Sequence, residues 1–208
     1  MRPIAYLAAL LFLALSHPAQ ALDTDTLVTD LKKGGYVIMF RHGATDDSQK
    51  DVYPLNFSDM SAQRQLSAKG REMATEVGQA IRKLGIPVGL VVTSKLNRAA
   101  ETGKLLSGRE VQVADALTDS GGSASAMANP NGANRKAGTA LRDLVNTPPT
   151  GGTDTILVTH KTNFADAFGK QAGDVQEGEA FVYRPDASGQ PKLVARVKVS
   201  DWIAAASE

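Results

Sequence analysis

Two histidines and two arginines stand where three apolar runs of the chain stop. Tyr36-Val-Ile-Met-Phe40 runs without a polar break into Arg41-His42-Gly43. Val88 to Thr93 leads into Ser94-Lys95 and then Asn97-Arg98, and Thr155 to Thr159 ends on His160. A guanidinium forks onto phosphate oxygens bidentately. An imidazole is a nucleophile when neutral and a donor when protonated. A phosphomonoester carries ~1.5 to 2 negative charges at neutral pH, and its transfer is mainly positioning and charge stabilisation. Two guanidiniums, a neutral imidazole that attacks phosphorus in line and a charged or donating second imidazole suit that task. The two histidines must then hold opposite states. Gly43 beside them lets the backbone approach a ligand closely.

The apolar runs read as buried strands, and the carboxyl ends of such strands are where open α/β sheets bind ligands. Helices are predicted between them. Leu22 to Lys33 forms one, stopped by Gly34-Gly35. Ser67 caps a second, with Met73, Val77, Ile81 and Leu84 on one face and Gly85 and Pro87 at its end. A third passes through Ala99, Thr102, Leu105 and Leu106 to Gly108, and a fourth spans Ala140 to Val145 before Pro148-Pro149. Val111 to Val113 reads as a short strand, and Phe181 to Arg184 with Leu193 to Val199 as a hairpin around Asp186-Ala-Ser-Gly189. Trp202 and Ile203 are expected to pack a terminal turn onto the core. The alternation predicts one α/β domain, a mostly parallel central sheet with helices on both faces. Two stretches stay irregular. Asp46 to Gln65 is a long loop, a length usually reserved for function. Asp119 to Gly138, rich in Gly, Ser, Ala and Asn, is a mobile flap or a passive surface loop.

The chain has 208 residues, three histidines and no cysteine. Arg2, the apolar run Ile4 to Leu15 and Ala19-Gln20-Ala21 have the layout of a signal peptide. Cleavage near Ala21 predicts an exported protein, periplasmic or secreted, whose domain spans residues 22–208. Cleavage also removes His17, leaving His42 and His160 as the two histidines of the mature chain. The formal net charge of +1 falls to neutrality with the loss of Arg2, so no basic surplus points to nucleic acid or an anionic membrane. No later stretch is apolar enough for stable membrane insertion. Without cysteine, thiol catalysis and thiolate metal sites are excluded. Oligomeric state leaves no mark in the sequence.

Arg41-His42-Gly43-Ala44-Thr45 resembles the Arg-His-Gly signature of the histidine phosphatase superfamily, the phosphoglycerate mutase-like proteins of branch 1. Ser94-Lys-Leu-Asn-Arg-Ala-Ala-Glu-Thr102 is similar to its second block, and Val158-Thr-His-Lys-Thr-Asn163 to its third. Leu66-Ser-Ala-Lys-Gly70 and Gly178-Glu-Ala180 match further segments of the family, and all run in family order. The resemblance implies a phosphoglycerate mutase-like fold, His42 as the phosphorylated nucleophile, and Arg41, Arg98 and His160 as phosphate-pocket residues. It implies a small phosphorylated substrate and no metal or organic cofactor. Ala44 stands where the family often has glutamate. Lys161 replaces the small residue that often follows the second histidine, and it adds charge to the pocket or faces solvent. It is not the aspartate that marks the acid phosphatase and phytase branch.

A carboxylic acid must protonate the leaving oxygen. Asp119 follows Leu117-Thr118 after the third strand, where relatives place a catalytic glutamate, and is the first choice. Asp46 and Asp47 are the alternatives, while Glu177 and Glu179 are accounted for as caps. Asn163 either orients the phosphate or caps the helix after His160. The expected function is an exported phosphatase working through a phosphohistidine on His42. A non-catalytic phosphate-ligand binding protein on the same fold is the alternative, and a phosphomutase ranks lower because export separates it from cytosolic intermediates. The two irregular stretches that should choose the substrate carry no readable pattern.

Overall fold

The computed structural model describes residues 24–118 and 133–208. The expected signal peptide at residues 1–21 and Asp119 lie outside them. Six strands form one sheet: β1 (Val37–Arg41), β2 (Val88–Thr93), β3 (Gln112–Val113), β4 (Asp154–Thr159), β5 (Ala180–Arg184) and β6 (Lys192–Val197). Among the described residues, six helices accompany them: α1 (Thr24–Leu31), α2 (Ala68–Lys83), α3 (Asn97–Ser107), α4 (Ala133–Val145), α5 (Lys161–Phe168) and α6 (Val199–Ala205).

The strand order is β3-β2-β4-β1-β5-β6. Pairs β3/β2, β2/β4 and β4/β1 are parallel, while β5 runs antiparallel to β1 and β6 to β5. The sheet is mostly parallel, as the sequence pattern predicts. Strand β1 shows why its sequence is apolar throughout. Ile38 and Phe40 join one core with Leu31, Val77, Ile81, Ala99 and Trp202. Val37 and Met39 face a second core with Leu141, Val145, Leu157 and Phe164. Alternate residues thus bury on opposite faces, each covered by helices. Trp202 belongs to helix α6 rather than a turn, 1% exposed and tilted against Phe40 with ring centroids 6.3 Å apart.

One sequence expectation needs correcting. The stretch read as a flap through Gly138 is helical from Ala133 onward. A Cβ on Gly138 would lie 2.3 Å from the Asp166 carbonyl oxygen, so this glycine serves close packing of α4 on α5 rather than loop freedom. The remainder of that stretch lies outside the described residues.

Far from the strand ends described next, β4 begins on a fully buried carboxylate. Asp154 Oδ1 accepts the Tyr36 amide at 2.8 Å, while Oδ2 has no partner. Burial pushes this carboxyl up to about 7, against the hydrogen bond from Tyr36. The folded chain therefore keeps a proton that the unfolded chain releases from about pH 4 upward. This residue makes stability fall between about pH 4 and pH 7 and leaves it level above. Relative to wild type, Asp154→Asn is expected to gain stability across that window, on the order of 4 kcal/mol in total. Denaturant unfolding at several pH values measures the difference, and a difference constant with pH would contradict it.

Candidate functional site

Because β4 lies between β1 and β2, three carboxyl ends meet although they are distant in sequence. The registers Arg41↔Thr159 and Thr93↔Val158 align them. One residue further on, the His42 amide donates to the Thr159 carbonyl and the Ser94 amide to the Val158 carbonyl, both at 3.0 Å. His160 follows Thr159 directly as the N-cap of α5. The rings of His42 and His160 are 5.1 Å apart, centroid to centroid.

His42 is buried, and its Nδ1 lies 2.8 Å from the Gly43 carbonyl oxygen. A carbonyl only accepts, so Nδ1 carries the proton and Nε2 keeps its lone pair. Burial is the main cause that lowers its pKa to about 3; Arg98, Arg41 and Arg64 add to the lowering, and only the Gly43 bond opposes it. The ring is a neutral nucleophile in a fixed tautomer. His160 is also buried, with Nε2 2.8 Å from Ser94 Oγ. Ser94 Oγ also accepts the Leu96 amide and keeps a second lone pair and its own hydrogen for His160 Nε2. His160 Nδ1 has no partner among the described residues. Burial, then the neighbouring His42 and the arginines, hold its pKa well below the ordinary value. The imidazolium allowed for by the sequence argument is thus replaced by a neutral ring.

Three arginines surround these rings. Arg41 Nη1 donates to the Val175 carbonyl at 2.9 Å and Nη2 to Glu177 Oε1 at 3.1 Å, while its Nε is unused. The turn that supplies both acceptors is braced by Glu179. That carboxylate takes the Gln176 amide at 2.7 Å and Arg196 Nε at 2.8 Å. Arg98, on the first turn of α3, gives Nη1 to Asp51 Oδ1 at 2.9 Å and leaves Nε unpartnered. Arg64, from the long loop, is half-buried, and its charge acts on His42, His160 and Arg41 alike.

Gly43 has a different task from the one its sequence position suggests. A Cβ there would meet the Gly70 carbonyl oxygen at 2.7 Å, and a Cβ on Gly70 would meet the Ala44 oxygen at 2.0 Å. The two glycines let the start of α2 touch the signature loop backbone to backbone, rather than opening space for a ligand. Thr102 completes the clamp: its Oγ1 accepts the Gly43 amide at 3.1 Å and donates to the Arg98 carbonyl at 2.7 Å. One turn of α3 therefore supplies both the arginine and the threonine that fixes the loop beneath it.

The structure brings Arg41, His42, Arg98 and His160 together. Asp119 lies outside the described residues. Asp46 gives its carboxylate to Ser48 and Gln49, and the Ser48 hydroxyl bond, its largest influence, lowers its pKa, which unfits it as an acid at neutral pH. Asp47 is exposed. Glu177 and Glu179 are not caps but partners of Arg41 and Arg196. Asn163 makes no capping bond; it is 6% exposed and its Oδ1 has no partner. Lys161 is exposed to solvent. Asp51 and Arg64 were missed because the loop carrying them has no period. Ser94 was visible only as part of a block, not as a partner of His160.

Neutral rings have a spectroscopic signature. In protein free of phosphate, the ring resonances of His42 and His160 are expected to stay flat between pH 5 and pH 8. A titration of either near its ordinary midpoint, about 6.5, would contradict the burial argument.

Comparison with known proteins agrees with this geometry. The family model of the histidine phosphatase superfamily (branch 1) matches residues 37–129. A search of curated proteins finds no match. Among solved structures, the protein histidine phosphatase SixA complexed with tungstate aligns with TM-score 0.55 and 16% identity, over 80% of this chain and 98% of that one. A phosphoserine phosphatase mutant from Entamoeba histolytica in complex with phosphoserine gives 0.54 and 15%, over 80% and 98%. A mycobacterial glucosyl-3-phosphoglycerate phosphatase in complex with VO3 gives 0.51 and 19%, over 77% and 97%. With its signature histidine and arginines gathered at the ends of β1, β2 and β4, the chain resembles the histidine phosphatase superfamily, branch 1, over residues 37–129.

Proposed function

We propose that the protein is an exported phosphatase that hydrolyses a small phosphomonoester through a phosphohistidine on His42. The observation that carries this reading is the state of His42: buried, neutral, with Nδ1 tied to the Gly43 carbonyl and Nε2 free beside guanidiniums. Nε2 attacks phosphorus in line, the bond from phosphorus to the ester oxygen breaks, and that oxygen takes a proton from a carboxylic acid. Water then gives a proton to the carboxylate and attacks phosphorus, the N–P bond breaks, and phosphate leaves with His42 and the acid restored. Arg41 and Arg98 present unused Nε–H groups to the phosphoryl oxygens, and His160 donates from Nδ1. A bound dianion reverses the bias that keeps His160 neutral and so strengthens its hydrogen bond. The proposed acid is Asp119, with Asp46 set aside by its bonds to Ser48.

Support also comes from the company the fold keeps, since the solved structures that resemble it include phosphatases. The export half of the reading rests on the leader-like N-terminus.

A phosphatase screen of the protein with an aryl phosphate is the direct test. His42→Ala is expected to lower turnover by about 10³-fold or more and to abolish labelling of the protein by the phosphoryl group. Turnover that survives this substitution would sink the reading, and vanadate binding without turnover in the wild type would favour a binding protein. Asp119→Asn is expected to slow alkyl phosphates by about 10²-fold or more and aryl phosphates far less, since an aryl oxide leaves without a proton. Equal effects on both would move the acid elsewhere.

A further inference from the structure

The charges around the two rings do not cancel. Arg41 is matched by Glu177 and Arg98 by Asp51, at 3.1 and 2.9 Å. Arg64 has no carboxylate or carbonyl accepting from its guanidinium among the described residues, although it is half-buried. A guanidinium that has no acceptor of its own and acts electrostatically on two neutral imidazoles is placed to meet an anion.

Its backbone is held with care. Asp51 Oδ1 accepts two donors at once, Arg98 Nη1 and the Arg64 amide, each at 2.9 Å. Arg98 Nη1 also reaches the Arg64 carbonyl at 3.5 Å. Asp51, Arg64 and Arg98 therefore interlock, and the loop cannot shift without moving Arg98. The neighbouring Gln63 is buried and locks the loop from the other side. Its Nε2 donates to the Asn56 carbonyl at 3.1 Å, and its Oε1 accepts the Asn97 amide at 2.9 Å. Among the described residues, the Arg64 guanidinium has no hydrogen-bond or salt-bridge partner, while its backbone is held by Asp51 and Arg98. Its charge contributes to the depressed pKa of His42, of His160 and of Arg41, which places it within electrostatic reach of all three.

We propose that Arg64 is a third phosphate-binding cation of this pocket, and that Asp51 is the positioning residue that sets both Arg64 and Arg98. The inference rests on the pocket being a phosphoryl site. Asp51 does not touch the phosphoryl group; it acts through the two arginines. Three guanidiniums against two carboxylates leave one excess positive charge with both imidazoles neutral, which offsets half the charge of a phosphoryl dianion. This makes the long loop part of the chemical site and not just its rim.

The experiment uses the full chain and two probes, inorganic phosphate and vanadate, with dissociation constants measured by calorimetry beside KM, kcat and the thermal midpoint. Arg64→Gln is expected to weaken both anions by about ten-fold or more, with the thermal midpoint held, and Arg64→Lys to recover part of the loss. Asp51→Ala should weaken anion binding too, and by less in the Arg64→Gln background than in wild type, because the two act through each other. Asp51→Asn, which keeps an acceptor for the Arg64 amide, should recover part of that loss. Unchanged anion binding in Arg64→Gln, with wild type binding normally, would overturn the proposal while leaving the phosphatase reading intact. If wild type binds neither anion and turns nothing over, the phosphoryl-site reading falls and the proposal falls with it.

Discussion

The hydrogen bond from the His42 amide to the Thr159 carbonyl, 3.0 Å long, is the constraint on which the site depends. It extends the β1/β4 ladder one residue past the last paired strand position and sets the nucleophile beside the residue that precedes His160. Its counterpart on the other side of β4, from Ser94 to Val158, does the same for the hydroxyl that holds His160 Nε2. Main-chain bonds in a sheet buried on both faces tolerate little movement, so the distance between the two rings is a property of the sheet. The backbone supplies the order of the two rings before any ligand arrives.

Electrostatics then act on a prepared geometry. Burial alone would keep both imidazoles neutral, and the arginines push in the same direction. Both rings are thus neutral, and they differ in what holds them: the Gly43 carbonyl fixes the proton of His42 on Nδ1, while Nε2 of His160 sits on the Ser94 hydroxyl. The price is an array of cations with too few anions, which the pocket resolves only when occupied.

Much of this was legible in the sequence. The β2 limits read from composition, Val88 to Thr93, are those of the structure, and the three polar strand ends identified the gathering of Arg41, His42, Arg98 and His160. Periodicity marked α2 because one face alternates cleanly, and Ser67 caps it as expected, accepting the Gly70 amide. The first turns of α4 were hidden because Gly and Asn in a short stretch look like a loop, and the role of Gly138 exists only against Asp166 in α5. Gly43 misled for the same reason: close approach was legible, but not what approaches. Asp51 and Arg64 left no trace because their meaning is a contact across the sequence with Arg98, and an aperiodic loop announces no contacts.

The long loop is tied off at its base. Thr45 and Leu66 form an isolated antiparallel bridge, so the segment between them leaves and re-enters the fold at one point. Within it, Val52, Tyr53, Phe57 and Met60 are exposed, while Asp51, Gln63 and Arg64 hold the side that faces α3. A segment whose ends already meet adds little closure entropy when its length changes. It is a cassette: its outward residues can be exchanged for others while three inward ones keep their places. A protein built this way can acquire a new leaving-group preference by rewriting the cassette and retain the same phosphoryl chemistry underneath.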